Sequence, residues 1–354
     1  MSHPKLAHFS LHTTTYKTVQ SIEVPAHILI PKSIATSTTP RKYPVLVRFH
    51  GGFLVTGSAL YTEWLPNWAI DLVVKNEAIL VMPDYRLLPE ASGQEILEDV
   101  KDFWAWLASG VNGLSSYLSG LNGNLSVDFG KIAVYGESAG GYLAIRSSLF
   151  PEDFWEQREG FNGPKAVIAA YPMTLLRKEW YSVASETKSP FGVPQFDEGF
   201  LDDHIADIGK GGEKIVVKAN PPARLEVAVT MVQRGRWTEI FKRDGEEELW
   251  LEDVIESVDV KEGEKRPYLL TFHGTKDTAV PWEDTKEWVE IYGKKFGEDR
   301  VKGVWREGME HGFDGFMDEE KGEGMWLQED LEVVEREWLG ITRDERDLRM
   351  RTNR

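Results

Sequence analysis

Cysteine is absent from all 354 residues, which excludes disulfides, thiolate nucleophiles and Cys-based zinc sites outright. The absence also fits a reducing compartment. Long hydrophobic runs are missing: no stretch approaches the roughly 18 apolar residues of a membrane span, and Met1 to Leu11 holds no apolar core of signal-peptide length. A cytoplasmic protein with no membrane span is the simplest expectation. Positive charge is in deficit, with 41 Lys+Arg against 58 Asp+Glu and a formal charge of -17. Such a surface repels a polyanion, so no nucleic-acid partner is expected. What remains is 41% hydrophobic and 28% charged residues, ordinary for a chain that buries a core. No internal repeat is evident.

Short β-branched and aliphatic runs alternate with longer helical patterns, the signature of βαβ units in a mostly parallel sheet. Core strands are predicted at Val45 to Phe49, Ala78 to Met82, Ile132 to Tyr135, Ala166 to Ala170, Tyr268 to Phe272 and Gly303 to Arg306. Apolar residues at three-to-four spacing predict helices at Leu65 to Val74, Ile96 to Ala108, Ala139 to Leu149, Trp282 to Tyr292 and Met325 to Trp338. The patterning from His8 to Val19 and from Ile22 to Ile30 suits an antiparallel edge that Pro31 stops. One interval breaks the rhythm, since roughly ninety residues separate two core strands that a short crossover would ordinarily join. The expected division is therefore a discontinuous core, 1–172 and 266–340, a helical cap at 173–265 rich in aromatics, and a tail at 341–354 without assigned function.

Gly136-Glu137-Ser138-Ala139-Gly140 matches Gly-x-Ser-x-Gly, a pattern that carries meaning only between a strand and a helix. That setting is predicted here, with Lys131 to Tyr135 before it and Tyr142, Leu143 and Ile145 after it. The turn strains the serine backbone, and residues flanking it must be small. Ser138 is thus the candidate nucleophile, at a helix N-terminus whose dipole favours developing negative charge. His50-Gly51-Gly52-Phe53 follows an earlier strand, where backbone N–H groups can face an oxyanion; Gly52, Phe53 and Ala139 are the expected donors. His50 is expected to brace this loop by hydrogen bonding.

These residues resemble the hormone-sensitive-lipase-like carboxylesterases. The likeness rests on His50-Gly51-Gly52-Phe53-Leu54-Val55-Thr56-Gly57-Ser58, then Asp84-Tyr85-Arg86-Leu87-Leu88-Pro89-Glu90, then the serine motif. It implies an α/β-hydrolase fold with a helical cap, ester hydrolysis without metal or organic cofactor, and a bracing role for Asp84, Tyr85 and Arg86. Two positions depart from that family: Phe53 replaces its third glycine, and Glu137 stands where Asp is usual. The first departure bears on substrate preference more than on mechanism, because a backbone donor survives any side chain its φ/ψ tolerates.

The hydrolase order of nucleophile, acid and base leaves His204, His273 and His311 as bases. His204 is expected in a solvated patch beside Asp202 and Asp203, and His273 comes too early in the chain. His311 follows the strand near Val304 and is the candidate base. Asp277, in Gly274-Thr275-Lys276-Asp277, is the candidate acid that would hold its tautomer; Asp284 lies too far into the next helix and Asp314 is expected to face solvent. The expected reaction is transfer of an acyl group from an uncharged or apolar carboxylic ester, lactone or thioester of moderate size to water, with a natural-product substrate as one form of it. A non-hydrolytic cyclase or dehydratase, a formamidase or amidase, and a ligand-binding receptor are the alternatives. No oligomeric state follows from the sequence.

Overall fold

The structure, a computed structural model, describes residues 3–156, 160–210, 215–261, 264–316, 324–342 and 344–345. Eight strands, β1 (Phe9–Val19), β2 (Ile22–Pro31), β3 (Arg41–Phe49), β4 (Ile79–Pro83), β5 (Leu125–Glu137), β6 (Ala166–Ala170), β7 (Tyr268–Gly274) and β8 (Val301–Arg306), form one sheet. Their spatial order is β1-β2-β4-β3-β5-β6-β7-β8. β1 and β2 pair antiparallel with each other and β2 with β4, while all later pairs are parallel. The expected antiparallel edge is therefore present, with Pro31 as its last paired residue opposite Phe9.

The parallel strands are covered on both faces, as crossover helices require. Val45, Val47, Ile79, Val81 and Val134 point to the face covered by helices Gly93–Ala108, Ala139–Ser148 and Trp282–Phe296, whereas their neighbours Leu46, Leu80, Ala133 and Tyr135 meet helices Asn67–Lys75 and Met325–Leu339. Alternate side chains of one strand thus enter two cores. Each fully buried aliphatic or aromatic side chain contributes about 1.5–3 kcal/mol, and Trp104 and Trp338 anchor opposite faces without solvent exposure. Helix Gly93–Ala108 starts at a reciprocal cap in which Ser92 and Glu95 each accept the other's backbone N–H.

Two elements leading to the serine turn are among those that depart from expectation. β5 begins at Leu125 instead of Ile132, because Leu125 and Val127 are buried while Ser126 and Asp128 are less so. This is the alternation of a half-buried strand rather than a continuous apolar run. Helix Leu114–Leu121 just before it was not expected; its serines and Gly120 obscure a short face carried by the buried Leu114 and Leu118. The tail from 341 lies mostly outside the described residues.

The interval between β6 and β7 carries helices Glu198–Gly209, Leu225–Gln233, Trp237–Phe241 and Leu251–Ser257. It packs onto the core, with Trp237, Phe241, Leu249 and Leu251 buried in the same cluster as the sheet. Tyr142 also donates to the Leu249 carbonyl at 2.7 Å. His50, Ser138, Asp277 and His311 all follow the carboxyl ends of parallel strands: β3, β5, β7 and β8. Open α/β sheets place ligands at that edge.

Candidate active site

Ser138 sits at φ 56°, ψ -120° between β5 and the helix it initiates. A non-glycine residue in this region costs about 1–3 kcal/mol and persists only where its surroundings hold it. Here Ser138 N–H donates to Ala170 O at 2.9 Å, and its carbonyl accepts from Gly141 at 2.9 Å and Met173 at 3.1 Å. The flanking glycines are required by contact. A Cβ on Gly136 would stand 2.0 Å from the Gly140 carbonyl oxygen, and one on Gly140 would stand 2.1 Å from that of Phe49.

Asp277 lies buried behind His311. Its Oδ2 is 2.6 Å from His311 Nδ1 and 2.9 Å from His273 Nε2, while Oδ1 accepts from Ala279 N–H and Val280 N–H at 2.8 Å each. Burial alone would favour the neutral acid, but His311 and His273 override it and hold the carboxyl well below the usual carboxylate range. Four donors on two oxygens fix both the charge and the ring of His311. Glu310 ties the loops of Asp277 and His311 together, accepting from Thr278 N–H at 2.7 Å and His311 N–H at 2.8 Å.

Beneath the serine turn lies a pair that sequence reasoning missed. Arg48 and Glu137 are both buried and face each other in a two-pronged ion pair, with Arg48 Nε 3.2 Å from Oε2 and Nη2 on Oε1. Glu137 also accepts Gly51 N–H at 3.2 Å, so the residue replacing the usual Asp links both loops that carry candidate oxyanion donors. Burial pushes Glu137 up and Arg48 pulls it down, with burial the larger effect. The signal was available: an arginine within an apolar strand must find a counter-charge.

The loop after β3 turns through Gly52 at φ 108°, Phe53 at 57° and Leu54 at 61°. Among the described residues, no hydrogen bond engages the N–H of Gly52, Phe53 or Ala139. His50 braces this loop as expected: its ring stacks on Tyr85, 4.4 Å between centroids, and Nδ1–H donates to Gly51 O at 2.8 Å. Burial lowers its pKa to about 4. Tyr85 donates to His50 O at 2.6 Å, Asp84 accepts Ala59 N–H at 2.6 Å, and Arg86 is bound to Asp99 at 2.9 Å.

One expectation about polar residues is overturned, and two other residues have partners that were not expected. Asp314 does not face solvent; it is buried and accepts from Trp68 Nε1 at 2.9 Å and Tyr171 OH at 2.8 Å, pinning the turn after His311. His204 is part-exposed beside the exposed Asp202 and Asp203, as expected, and its Nε2 also lies 3.0 Å from the buried Glu90. His273 precedes Asp277 in the chain yet touches it in space, its other nitrogen lying 2.8 Å from Thr285 Oγ1. Asp284 is engaged elsewhere, by Lys178 at 3.0 Å.

Ser138 and His311 line one cavity of about 220 Å³, walled by Gly52, Phe53, Trp64, Tyr171 and Phe191. No hydrogen bond joins the two among the described residues, and such contacts commonly tighten only with substrate. Phe191 packs edge-on against both Phe53, at 6.0 Å, and His311, at 5.6 Å. Tyr171 packs against His311 from another side at 4.5 Å. A larger cleft of about 810 Å³ opens at the amino ends of β6, β7 and β8 among Lys165, Arg266, Arg300 and Glu337, on the sheet edge opposite these groups.

A family profile described as the alpha/beta hydrolase fold matches residues 46–207. Probable carboxylesterase M8 of Phoma sp. is 29% identical over 272 residues, which cover 76% of this chain and 78% of that protein. The non-reducing polyketide synthase Preu3 of Preussia isomera is 23% identical over 343 residues, 88% of this chain but 13% of the synthase. Among solved structures, the esterase of Pyrobaculum calidifontis superposes with a TM-score of 0.55 at 19% identity, covering 94% of this chain and 87% of that one.

Proposed function

We propose, from the premise that this chain belongs to the hormone-sensitive-lipase-like carboxylesterases of the α/β-hydrolase superfamily, that it hydrolyses small uncharged esters through an acyl-enzyme on Ser138. The observation that carries this reading is the convergence of Ser138 and His311 on one aromatic-walled cavity, with Asp277 held on the far nitrogen of His311.

Each residue then has one task. Ser138 Oγ attacks the ester carbonyl while His311 Nε2 takes its proton. The N–H groups of Gly52, Phe53 and Ala139 receive the oxyanion, each contributing about 3–4 kcal/mol to the transition state. His311 returns the proton to the leaving alkoxide, then activates a water that releases the acid. Asp277 stays ionised, holding the Nδ1–H tautomer and stabilising the imidazolium. The inserted segment at 173–265 serves as the cap over this site, bringing Phe191 and Leu225 to the cavity wall. Rings on several sides favour an acyl or alkoxy group with flat apolar surface. The likeness to part of a polyketide synthase supports a natural-product ester or thioester as its physiological form.

Treatment with a fluorophosphonate, followed by mass location of the adduct, tests the nucleophile. Modification of Ser138 with loss of short-chain aryl-ester turnover is expected. A folded protein labelled elsewhere, or not at all, overturns the reading.

A further inference from the structure

The loop that carries two of the oxyanion donors holds its shape against its own preferences. Phe53 and Leu54 are consecutive bulky residues with positive φ, a conformation that L-residues leave unless their surroundings over-determine it. Relaxation of either would rotate the adjoining peptides and redirect the Phe53 N–H. What prevents this can be read by asking where the loop's carbonyls go.

The core satisfies only part of the loop. Gly52 O accepts from Val55 N–H and Thr56 N–H within the turn, and Leu54 O accepts from Leu88 N–H at 2.7 Å. The carbonyls of Phe53, Val55 and Gly57 are all taken by the segment inserted between β6 and β7. Trp237 Nε1 donates to Phe53 O at 2.9 Å, Arg224 Nε donates to Val55 O at 2.9 Å, and Ala219 N–H donates to Gly57 O at 2.8 Å. Arg224 also reaches Leu88 O at 2.6 Å and the buried carboxylate of Glu90. Both donors are themselves held: Trp237 is fully buried against Phe241 and Tyr181, and Arg224 is clamped by the groups it serves.

We infer that the inserted segment is part of the oxyanion machinery, with Trp237 and Arg224 as positioning residues for the Gly52–Phe53 donors. This rests on the acyl-enzyme reading of Ser138. The cap is then more than a lid, because the segment that supplies Leu225 to the cavity wall also grips the donor loop through the residue before it. Substrate packed against that wall and the direction of the donor N–H groups become mechanically linked.

Trp237→Phe tests this by keeping a ring against Phe241 and Tyr181 while deleting the N–H. On a neutral aryl ester, kcat should fall about 10- to 100-fold with KM within about twofold, the pattern of a lost transition-state interaction. The Ki of a boronic acid analogue should rise by the same factor as kcat/KM falls, which a merely structural role would not produce. Arg224→Lys, which removes the planar fork at the rim of the cluster, should move both quantities in the same direction by about tenfold, and it carries the test alone if Trp237→Phe does not fold. A folded Trp237→Phe protein, labelled at Ser138 by fluorophosphonate and with kcat within twofold of wild type, overturns this inference while leaving the esterase reading intact. Labelling away from Ser138 in the wild type overturns both.

Discussion

Replacing Phe53 separates two roles proposed for one residue, its backbone donor and its ring. The ring is 1% exposed, lines the cavity and packs edge-on against Phe191. Removing a buried phenylalanine costs about 3–5 kcal/mol through lost burial and the space left behind. Glycine recovers part of this, because a side chain at φ 57° carries about 1–2 kcal/mol of left-handed strain that glycine lacks. Phe53→Gly should therefore be about 1 kcal/mol more stable than Phe53→Ala, the reverse of their usual order, and urea unfolding reads the difference. The N–H survives in both variants. With the ring gone, each methylene of a longer acyl chain that enters the opened volume gains about 0.8 kcal/mol, roughly fourfold in kcat/KM, so one or two methylenes give about 4- to 14-fold relative to acetyl. The assay is kcat/KM for acetyl through octanoyl esters in wild type and both variants. An unchanged chain-length profile would show that the ring does not bound the acyl site. A uniform collapse across all esters would show that it braces the donor loop instead.

Ser138→Ala and His311→Ala should each lower kcat by about 10⁴ to 10⁶, and the double variant should lose little more than either single one, since such residues act as a unit; multiplicative losses would refute the triad. Asp277→Asn should cost about 10⁴ by presenting the wrong His311 tautomer, checked by kcat at constant fold content. For pH, the folded value of His50 near 4 lies below its unfolded value near 6.5, so between them the unfolded chain binds more protons. Stability is full above about pH 6.5 and falls on acidification, by about 2 kcal/mol between pH 7 and 5; His50→Gln should flatten that slope in urea titrations. Arg48→Met should destabilise by about 3–5 kcal/mol because Glu137 is left buried and unpaired, while Arg48→Met/Glu137→Leu should recover much of the loss. Equal losses in the two proteins would mean that the pair is not coupled.

The candidate reacting groups were legible because each is announced locally. The serine turn needs small residues on both sides and a strand before it, and the candidate acid and base follow strands whose apolar runs are plain in the chain. The partners of those groups were not legible in the same way. Asp314 read as a solvent-facing residue because nothing near it in sequence reveals that Trp68 and Tyr171 converge on it from two other elements. His273 was set aside for its place in chain order, yet strand β7 and the turn after it fold its ring onto Asp277. His204 sits among acidic neighbours that it does not use, and finds Glu90 from far along the chain. Buried polar pairing depends on which strand ends and insertions meet, and local pattern carries no record of that. Arg48 is the partial exception, since its place in an apolar strand demanded an acid that Glu137, at the end of the neighbouring strand, was placed to supply.

The saturation of Asp277 also limits how many protons can be in flight. Both of its oxygens are occupied by donors, two backbone N–H groups and two imidazoles, so protonating it would oppose donor to donor. A proton passed on from His311 has no seat there. In the proposed mechanism the serine proton therefore travels to His311 and stops, and the imidazolium waits beside an ionised neighbour until the leaving group collects it. Rates of deacylation measured in mixtures of light and heavy water should accordingly fall linearly with deuterium fraction, the mark of a single moving proton; a bowed plot would mean that a second proton shifts in the same step.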